Sequence, residues 1–328
     1  MRDGDVTEAI AALWRRSLGP GRDFRTIPCA VSGNNRVFKV EADGRAAIAK
    51  WYVDSPNRDR LDSEWRFLTY ATGAGIACVP APLARDDASR IALHGFCAGI
   101  KPTPAEIGEA QVDAAADFLL ALNRPKHDAD LPEAAEAAFS AEQHFTILER
   151  RIGLLAGIEE PEARDLAARM AACWRDLRET LTRTLDPAPL PHGLRCISPS
   201  DFGFHNAVLA GDGAPSFFDF EYGGWDDPAK ALCDFTLQPG VPVAPELGRR
   251  FMARAAHLWP DTDALLARAR ALRPMFALKW CCIMLNPFVP ALARPGQFSD
   301  PTADLAERKT RQLAKARAAF NSLLSERD

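Results

Sequence analysis

A chain of 328 residues with 47% hydrophobic and 26% charged residues has the balance of a water-soluble globular protein and room for about two domains. Its formal net charge of -4, with no long run of one sign, excludes the electrostatic footprint of a nucleic-acid binder or of a protein held on an anionic membrane surface. Met1-Arg2-Asp3-Gly4-Asp5 lacks the pattern of a secretion signal and the eight cysteines form no C-x-x-C pair, so reduced thiols in a cytoplasmic protein are expected.

Asp5-Val6-Thr7-Glu8 has the form of a capping box, with Asp5 as N-cap, and Ile10, Leu13 and Trp14 follow at helical spacing until Gly19-Pro20. Three runs with strand character come next, over 24–31, 37–41 and 46–52. The first two are joined by Ser32-Gly33-Asn34-Asn35-Arg36 and the last two by Ala42-Asp43-Gly44, a hairpin signal. A helix is predicted over 57–72, with Leu61, Trp65 and Leu68 as its apolar stripe and Glu64 beside it. Val79-Pro80-Ala81-Pro82 is an extended connector, and strands are predicted at 83–85 and 91–94. At Gly95-Phe96-Cys97-Ala98-Gly99 the pattern turns helical. The expectation is therefore an α+β chain of two parts: residues 1–98, a five-stranded antiparallel sheet with a helix, and residues 99–328, mostly helical. Helices are predicted over 106–123, 141–156 and 162–185, with apolar stripes such as Phe145-Leu148-Ile152 and Leu166-Met170-Trp174. The apolar stretch 276–292 is interrupted by Lys279, Asn286 and Pro287, too often for a membrane span, and reads as a buried helix.

The stretch with chemical content is Ser198-Pro199-Ser200-Asp201-Phe202-Gly203-Phe204-His205-Asn206, followed at a distance by Phe217-Phe218-Asp219-Phe220-Glu221. Between them, Ala207-Val208-Leu209, a turn sequence around Asp212-Gly213 and a second apolar run read as an antiparallel hairpin. Centred on Asp212-Gly213, that hairpin brings Asn206 and Asp219 to one end, and Asp201 lies in the loop feeding it. Asn and Asp oxygens are hard ligands suited to Mg²⁺, and the remaining aspartate is free to accept a proton.

The segment resembles the aminoglycoside phosphotransferase and choline kinase family, whose members show H-G-D-x-x-x-x-N and then I-D-[FW]-[ED]. Asp201 and Asn206 match the first pattern, and Asp219-Phe220-Glu221 matches the second. Pro199 stands where the family has histidine, and His205 is out of register with it. The resemblance implies a bilobal protein-kinase-like fold and a Mg²⁺-dependent kinase that moves the γ-phosphate of ATP, or GTP, to a hydroxyl of a metabolite such as a sugar, an amino alcohol or an aminoglycoside. Asp201 would be the catalytic base, and Asn206 and Asp219 the metal ligands. Lys50, at the end of the third strand, and Glu64 would form the ion pair that holds the nucleotide phosphates. The family stretch G-x-x-N-x-x-[YF]-x-V is similar to Gly33-Asn34-Asn35-Arg36-Val37-Phe38-Lys39-Val40, which makes Ser32, Gly33, Asn34 and Asn35 the expected phosphate loop. The hinge at His94 to Cys97, including Phe96, would carry the adenine, and Asp234 would brace the catalytic loop. Glu221, Asp226 and Asp227 could face a polycation or serve as local structural residues, and the region of Phe276, Lys279, Trp280 and Asn286 could line the acceptor pocket or be plain core. The absence of an Ala-Pro-Glu motif and activation segment argues against a regulated protein kinase. The missing loop histidine leaves a second reading, a nucleotide-binding module without catalysis. The expected partners are a nucleotide and a small hydroxylated metabolite, with no nucleic acid and no membrane.

Overall fold

The computed structural model describes residues 3–29, 35–126, 129–292 and 305–326. Its first element, α1 (Asp3–Ser17), buries Val6, Ile10, Leu13 and Trp14 along one face, as their spacing requires. The helix already runs from Asp3, so Asp5 lies inside it and is not the cap that the capping-box pattern suggested.

Strands β1 (Arg25–Pro28), β2 (Asn35–Ala42), β3 (Arg45–Tyr52), β4 (Pro82–Asp86) and β5 (Ile91–Gly95) form an antiparallel sheet in the order β1-β2-β3-β5-β4. The β2–β3 turn is Asp43-Gly44, both with positive φ (53° and 71°), as a two-residue hairpin demands. The Asp43 carboxylate accepts hydrogen bonds from Trp14 Nε1 (2.9 Å) and from the Gly21 and Arg22 amides (3.0 and 2.9 Å), which ties α1 to the sheet. One face of the sheet, with Phe38, Val40, Ala47, Ala49 and Leu93, packs against α1. Alternation then turns Lys50 and Tyr52 to the other face, where Tyr52 packs with Leu61 of the next helix.

That helix, α2 (Arg60–Gly73), begins at an N-cap, Asp59, whose Oδ1 accepts from Asp62 N at 3.2 Å. The cap sets the start three residues later than position 57. Leu61 and Glu64 face the sheet, and Phe67, Leu68 and Ala71 join the core of the helical part. The Phe67 ring stacks on Phe220 with centroids 4.7 Å apart. α2 therefore belongs to the packing of both lobes.

The larger lobe is built from α3 (Glu109–Asn123), α4 (Ala141–Leu155), α5 (Pro161–Thr184), α6 (Pro228–Leu237), α7 (Pro245–Ala255), α8 (Thr262–Met284) and α9 (Leu305–Ser325). Four short strands complete it: β6 (Cys196–Ser198) pairs with β9 (Gly224–Asp226), and β7 (Ala207–Leu209) with β8 (Pro215–Phe217). Rings from these elements stack in the core: Phe118 on Phe217 at 5.1 Å and Phe235 on Phe251 at 3.8 Å. The result is the bilobal α+β architecture expected from the sequence. Among the described residues, no helix is long and apolar enough to cross a membrane.

Candidate active site

β6 and the buried rings of Phe202 and Phe204 fix the loop that presents Asp201. Ser200 adopts φ 67°, and its amide donates to Ser198 Oγ at 3.0 Å. A Cβ on Gly203 would lie 2.7 Å from Gln238 Cγ and 2.9 Å from His205 Nδ1, so this position has no room for a side chain. A single 3₁₀ turn, Phe204–Asn206, then folds two side chains back onto Asp201. Asn206 Nδ2 donates to the Asp201 carbonyl (3.0 Å) and to Oδ2 (3.2 Å), and His205 Nε2 lies 3.1 Å from Oδ1. His205 is out of register with the family histidine, yet this turn brings it to the Asp201 carboxylate. Burial raises the Asp201 pKa, but the hydrogen bond and charge of His205 and the hydrogen bond of Asn206 outweigh it, and the group ends below its usual value.

The hairpin departs from the expected register by one residue. Ala210 N donates to Ala214 O at 2.9 Å, and Gly213 takes φ 83°, so the turn is centred on Asp212. Ala207 faces Phe217, and Phe218 N donates to Asn206 O at 3.0 Å. Asp219 therefore lies one position beyond Asn206's partner, in the left-handed region (φ 69°). Its carboxylate contacts Lys50.

Lys50 sits in a buried cluster of three acids. Its Nζ is 2.7 Å from Glu64 Oε2, touches Asp219 Oδ1, and is 3.2 Å from Glu221 Oε2. Glu64 does more than pair with the lysine. Its Oε2 also accepts from the Tyr52 hydroxyl at 2.7 Å, and its Oε1 accepts from the Phe220 amide at 3.1 Å. The single Tyr52 proton is thus committed to the carboxylate, so His94, 3.1 Å away, must donate its Nε2 proton to the phenol oxygen. Glu221 accepts from Asn35 Nδ2 and lies 4.0 Å from Arg60 Nε. Burial alone would lower the Lys50 pKa, but Asp219, Glu64 and Glu221 together hold it well above the ordinary value. Burial raises the Glu221 pKa, with Asp219 and Glu64 adding to it and Lys50 opposing. Burial also pushes the His94 imidazole down to about 3.

The expected site residues are thus distributed as follows. Lys50, Glu64 and Asp219 converge directly, and Asn206 and Asp201 form a second group at the same end of the hairpin. Asn35, first residue of β2, reaches the first group through Glu221. Ser32, Gly33 and Asn34 lie outside the described residues. The His94 side chain is buried and committed to Tyr52, so its ring supports the Lys50 pair and is not offered to a ligand. Phe96, just beyond the end of β5, is 40% exposed, with Lys39 Nζ 4.8 Å from its ring centroid. Sequence reasoning passed over Tyr52 and assigned Glu221 no part in the lysine cluster. The available signal was period two, which places Tyr52 on the face of Lys50.

Beyond Asp201 opens a cleft of about 530 Å³, lined in part by Glu136, Arg151, Tyr222, Lys279 and Trp280. Asp234, also on this cleft, accepts from Trp280 Nε1 at 3.1 Å and lies 3.2 Å from Lys230. It reaches the catalytic loop through Lys230, whose Nζ is 3.4 Å from Ser200 Oγ. Asp226 pairs with Lys230 at 2.6 Å. Asp227 caps α6 and binds His144 (3.1 Å) and Arg268 (2.5 Å). Glu221, Asp226 and Asp227 are all buried, so among the described residues these three present no open acidic face. Phe276 is core, while Lys279 and Trp280 one turn on line the cleft.

Residues 27–272 match the family described as phosphotransferase enzyme family. No curated protein sequence matches the chain. Among solved structures, a choline/ethanolamine kinase family protein from Mesorhizobium loti superposes with a TM-score of 0.64 at 17% identity, over 98% of this chain and 95% of that one. A choline kinase from Cryptosporidium parvum gives 0.63 at 13% identity, over 98% and 97%. A spectinomycin phosphotransferase, solved with ADP and spectinomycin, gives 0.62 at 10% identity, over 95% and 98%. At these identities the likeness is one of fold.

Proposed function

We propose, from the premise that the chain belongs to the phosphotransferase enzyme family, that it moves the γ-phosphoryl group of ATP or GTP to a hydroxyl of a small metabolite. Membership makes it a phosphotransferase with an alcohol group as acceptor; the donor and the residue roles are what we infer. The observation that carries the reading is the convergence of Lys50, Glu64 and Asp219 beside the loop that holds Asp201 and Asn206.

Phosphoryl transfer asks little covalent chemistry of a protein and depends on positioning and on neutralising charge. Lys50, fixed by Glu64, binds the nucleotide phosphates. Asp201 takes the acceptor proton and aims the oxygen. Residues 32–35 are proposed to contribute to phosphate binding, and the backbone at 94–97 to holding the base. The donor set also fits a divalent cation. Oxygens of Glu64, Asp219 and Glu221 lie within 4.8 Å of one another around Lys50, and Arg60 Nε is 4.0 Å from Glu221. Asn206 has committed its amide nitrogen to Asp201, which leaves its oxygen for a ligand. Asp219 and Asn206 would hold Mg²⁺, which when bound supplies positive charge against the phosphates. The eight cysteines are all free thiols, which fits a reducing cytoplasm.

The test is thermal unfolding with ATP or GTP, with and without Mg²⁺. At a hundredfold excess over its dissociation constant, the nucleotide adds about 2.7 kcal/mol to wild-type stability. Asp219→Ala is expected to lose this Mg²⁺-dependent gain, and Asp201→Ala to keep the gain but lose turnover. A gain equal in wild type and Asp219→Ala, or full turnover by Asp201→Ala, would refute the assignments.

A further inference from the structure

The acceptor cleft has an uneven supply of unused polar atoms. Each of its three acids already has protein partners. Glu136 Oε2 is 2.7 Å from Arg151, and Oε1 accepts from Arg150 at 3.3 Å. Asp234 gives Oδ1 to Trp280 and Oδ2 to Lys230. Asp201 gives its oxygens to His205 and Asn206. Among the described residues, every carboxylate on this wall is already paired, so none is a dedicated partner for an ammonium group of a substrate.

Lys279 is the opposite case. Its side chain is 7% exposed, it lines the cleft, and its three N–H donors need acceptors. Among the described residues, its nearest acidic oxygen is Asp234 Oδ1 at 3.4 Å, an atom that Trp280 already uses. Behind the ammonium is the Phe276 ring, 5.4 Å from Nζ. Asp234 and, at longer range, Glu136 oppose the Lys279 charge, but among the described residues no acidic oxygen comes nearer than 3.4 Å, so the buried ammonium keeps donor capacity for an anion in the cleft. Its charge also disfavours a cationic group at this point of the cleft.

We propose that the acceptor is an alcohol bearing an anionic group, a hydroxy carboxylate or a phosphorylated polyol, and that Lys279 binds that group while the hydroxyl faces Asp201. This rests on the phosphoryl-transfer reading above. In the transfer, the acceptor oxygen bonds to the γ-phosphorus as the bond from that phosphorus to the β–γ bridging oxygen breaks. The hydroxyl proton passes to Asp201, and the nucleoside diphosphate leaves with the electron pair.

Four probes with one polyol skeleton isolate the charge: gluconate, glucitol, 1-amino-1-deoxyglucitol and glucitol 6-phosphate. Each is titrated calorimetrically into the full chain, alone and with Mg²⁺ and a non-hydrolysable ATP analogue. Gluconate or glucitol 6-phosphate is expected to bind about tenfold or more tighter than glucitol, with the amine weakest. The two anions separate carboxylate from phosphate recognition. Lys279→Met is expected to lose this preference, and Lys279→Arg to keep it. For any anionic probe that is turned over, Lys279→Met raises KM with kcat little changed. Equal binding of the four, no binding of any, or tightest binding of the amine overturns the proposal. An intact anion preference in a protein that ignores the nucleotide refutes the kinase reading alone.

Discussion

At the scale of single residues, the site is a relay of donors rather than an isolated ion pair. His94 donates to Tyr52, Tyr52 to Glu64, and Glu64 also holds Lys50 and the Phe220 amide. Burial, with the Lys50 charge adding to it, keeps that imidazole neutral by pushing the His94 pKa from 6.5 to about 3. The unfolded chain takes up a proton on this ring below about pH 6.5, whereas the folded chain does so only near 3. Protons therefore bind the unfolded state first, and stability falls as pH drops between those values. At pH 5.5 the contribution is about 1.4 kcal/mol against neutral pH. Urea unfolding of wild type and His94→Phe at pH 7.5 and 5.5 measures it. Wild type is expected to lose about 1.4 kcal/mol more than the variant over this interval, and equal losses would show that the imidazole is not held neutral. The spacing of Lys50, Glu64, Asp201, Asn206 and Asp219 was legible because each sits at a fixed offset from a turn, a strand end or an apolar stripe. The pairing of Asn35 with Glu221 was not, because it is made between parts of the chain 186 residues apart and gains its force from burial.

At the scale of elements, α2 decides whether the lysine cluster forms. Its N-terminal half faces the sheet, and its C-terminal half is buried in the helical lobe. Phe67 is fully buried against Phe220, and a Cβ on Gly223 would stand 2.5 Å from the Phe67 ring, so the hairpin exit is shaped around this side chain. Phe67→Ala is expected to cost about 3–5 kcal/mol in equilibrium urea unfolding, as for other fully buried aromatic residues. A loss below about 1 kcal/mol would show that the ring is not a structural anchor. The sequence marked the helix through its apolar stripe, but not that the stripe serves two lobes, since hydrophobicity does not name its partner. The hairpin carries a related lesson. Asp-Gly marks a turn without fixing its length, and one extra residue moved Asp219 out of the ladder and into the left-handed conformation that points it at Lys50.

At the scale of the whole molecule, the relation of the two lobes depends on a residue with no signature in the sequence. Arg58, just ahead of α2, spreads its guanidinium over three backbone carbonyls of the larger lobe. Nε donates to Glu221 O at 2.9 Å, one terminal nitrogen to Glu133 O at 2.7 Å, and the other to Gly223 O at 2.8 Å. Backbone acceptors leave no side-chain pattern, so neither the arginine nor its three partners could be read from residue types. Two of the carbonyls flank the exit of the catalytic hairpin, which makes this contact a setting of the distance between Lys50 and Asp219 as well as of the lobes. Removing the guanidinium leaves three carbonyls without their donor, and Arg58→Ala is expected to lose about 1–3 kcal/mol of stability. Arg58→Lys tests geometry against charge: an ammonium is a point donor and cannot span three acceptors that a planar fork reaches together. The lysine variant is therefore expected to stay close to alanine in urea unfolding, with faster amide exchange over residues 220–224 in both. Full recovery by lysine would mean that the contact needs only a positive charge, and unchanged exchange over 220–224 would mean that the hairpin exit is held by the Phe67–Phe220 stack alone.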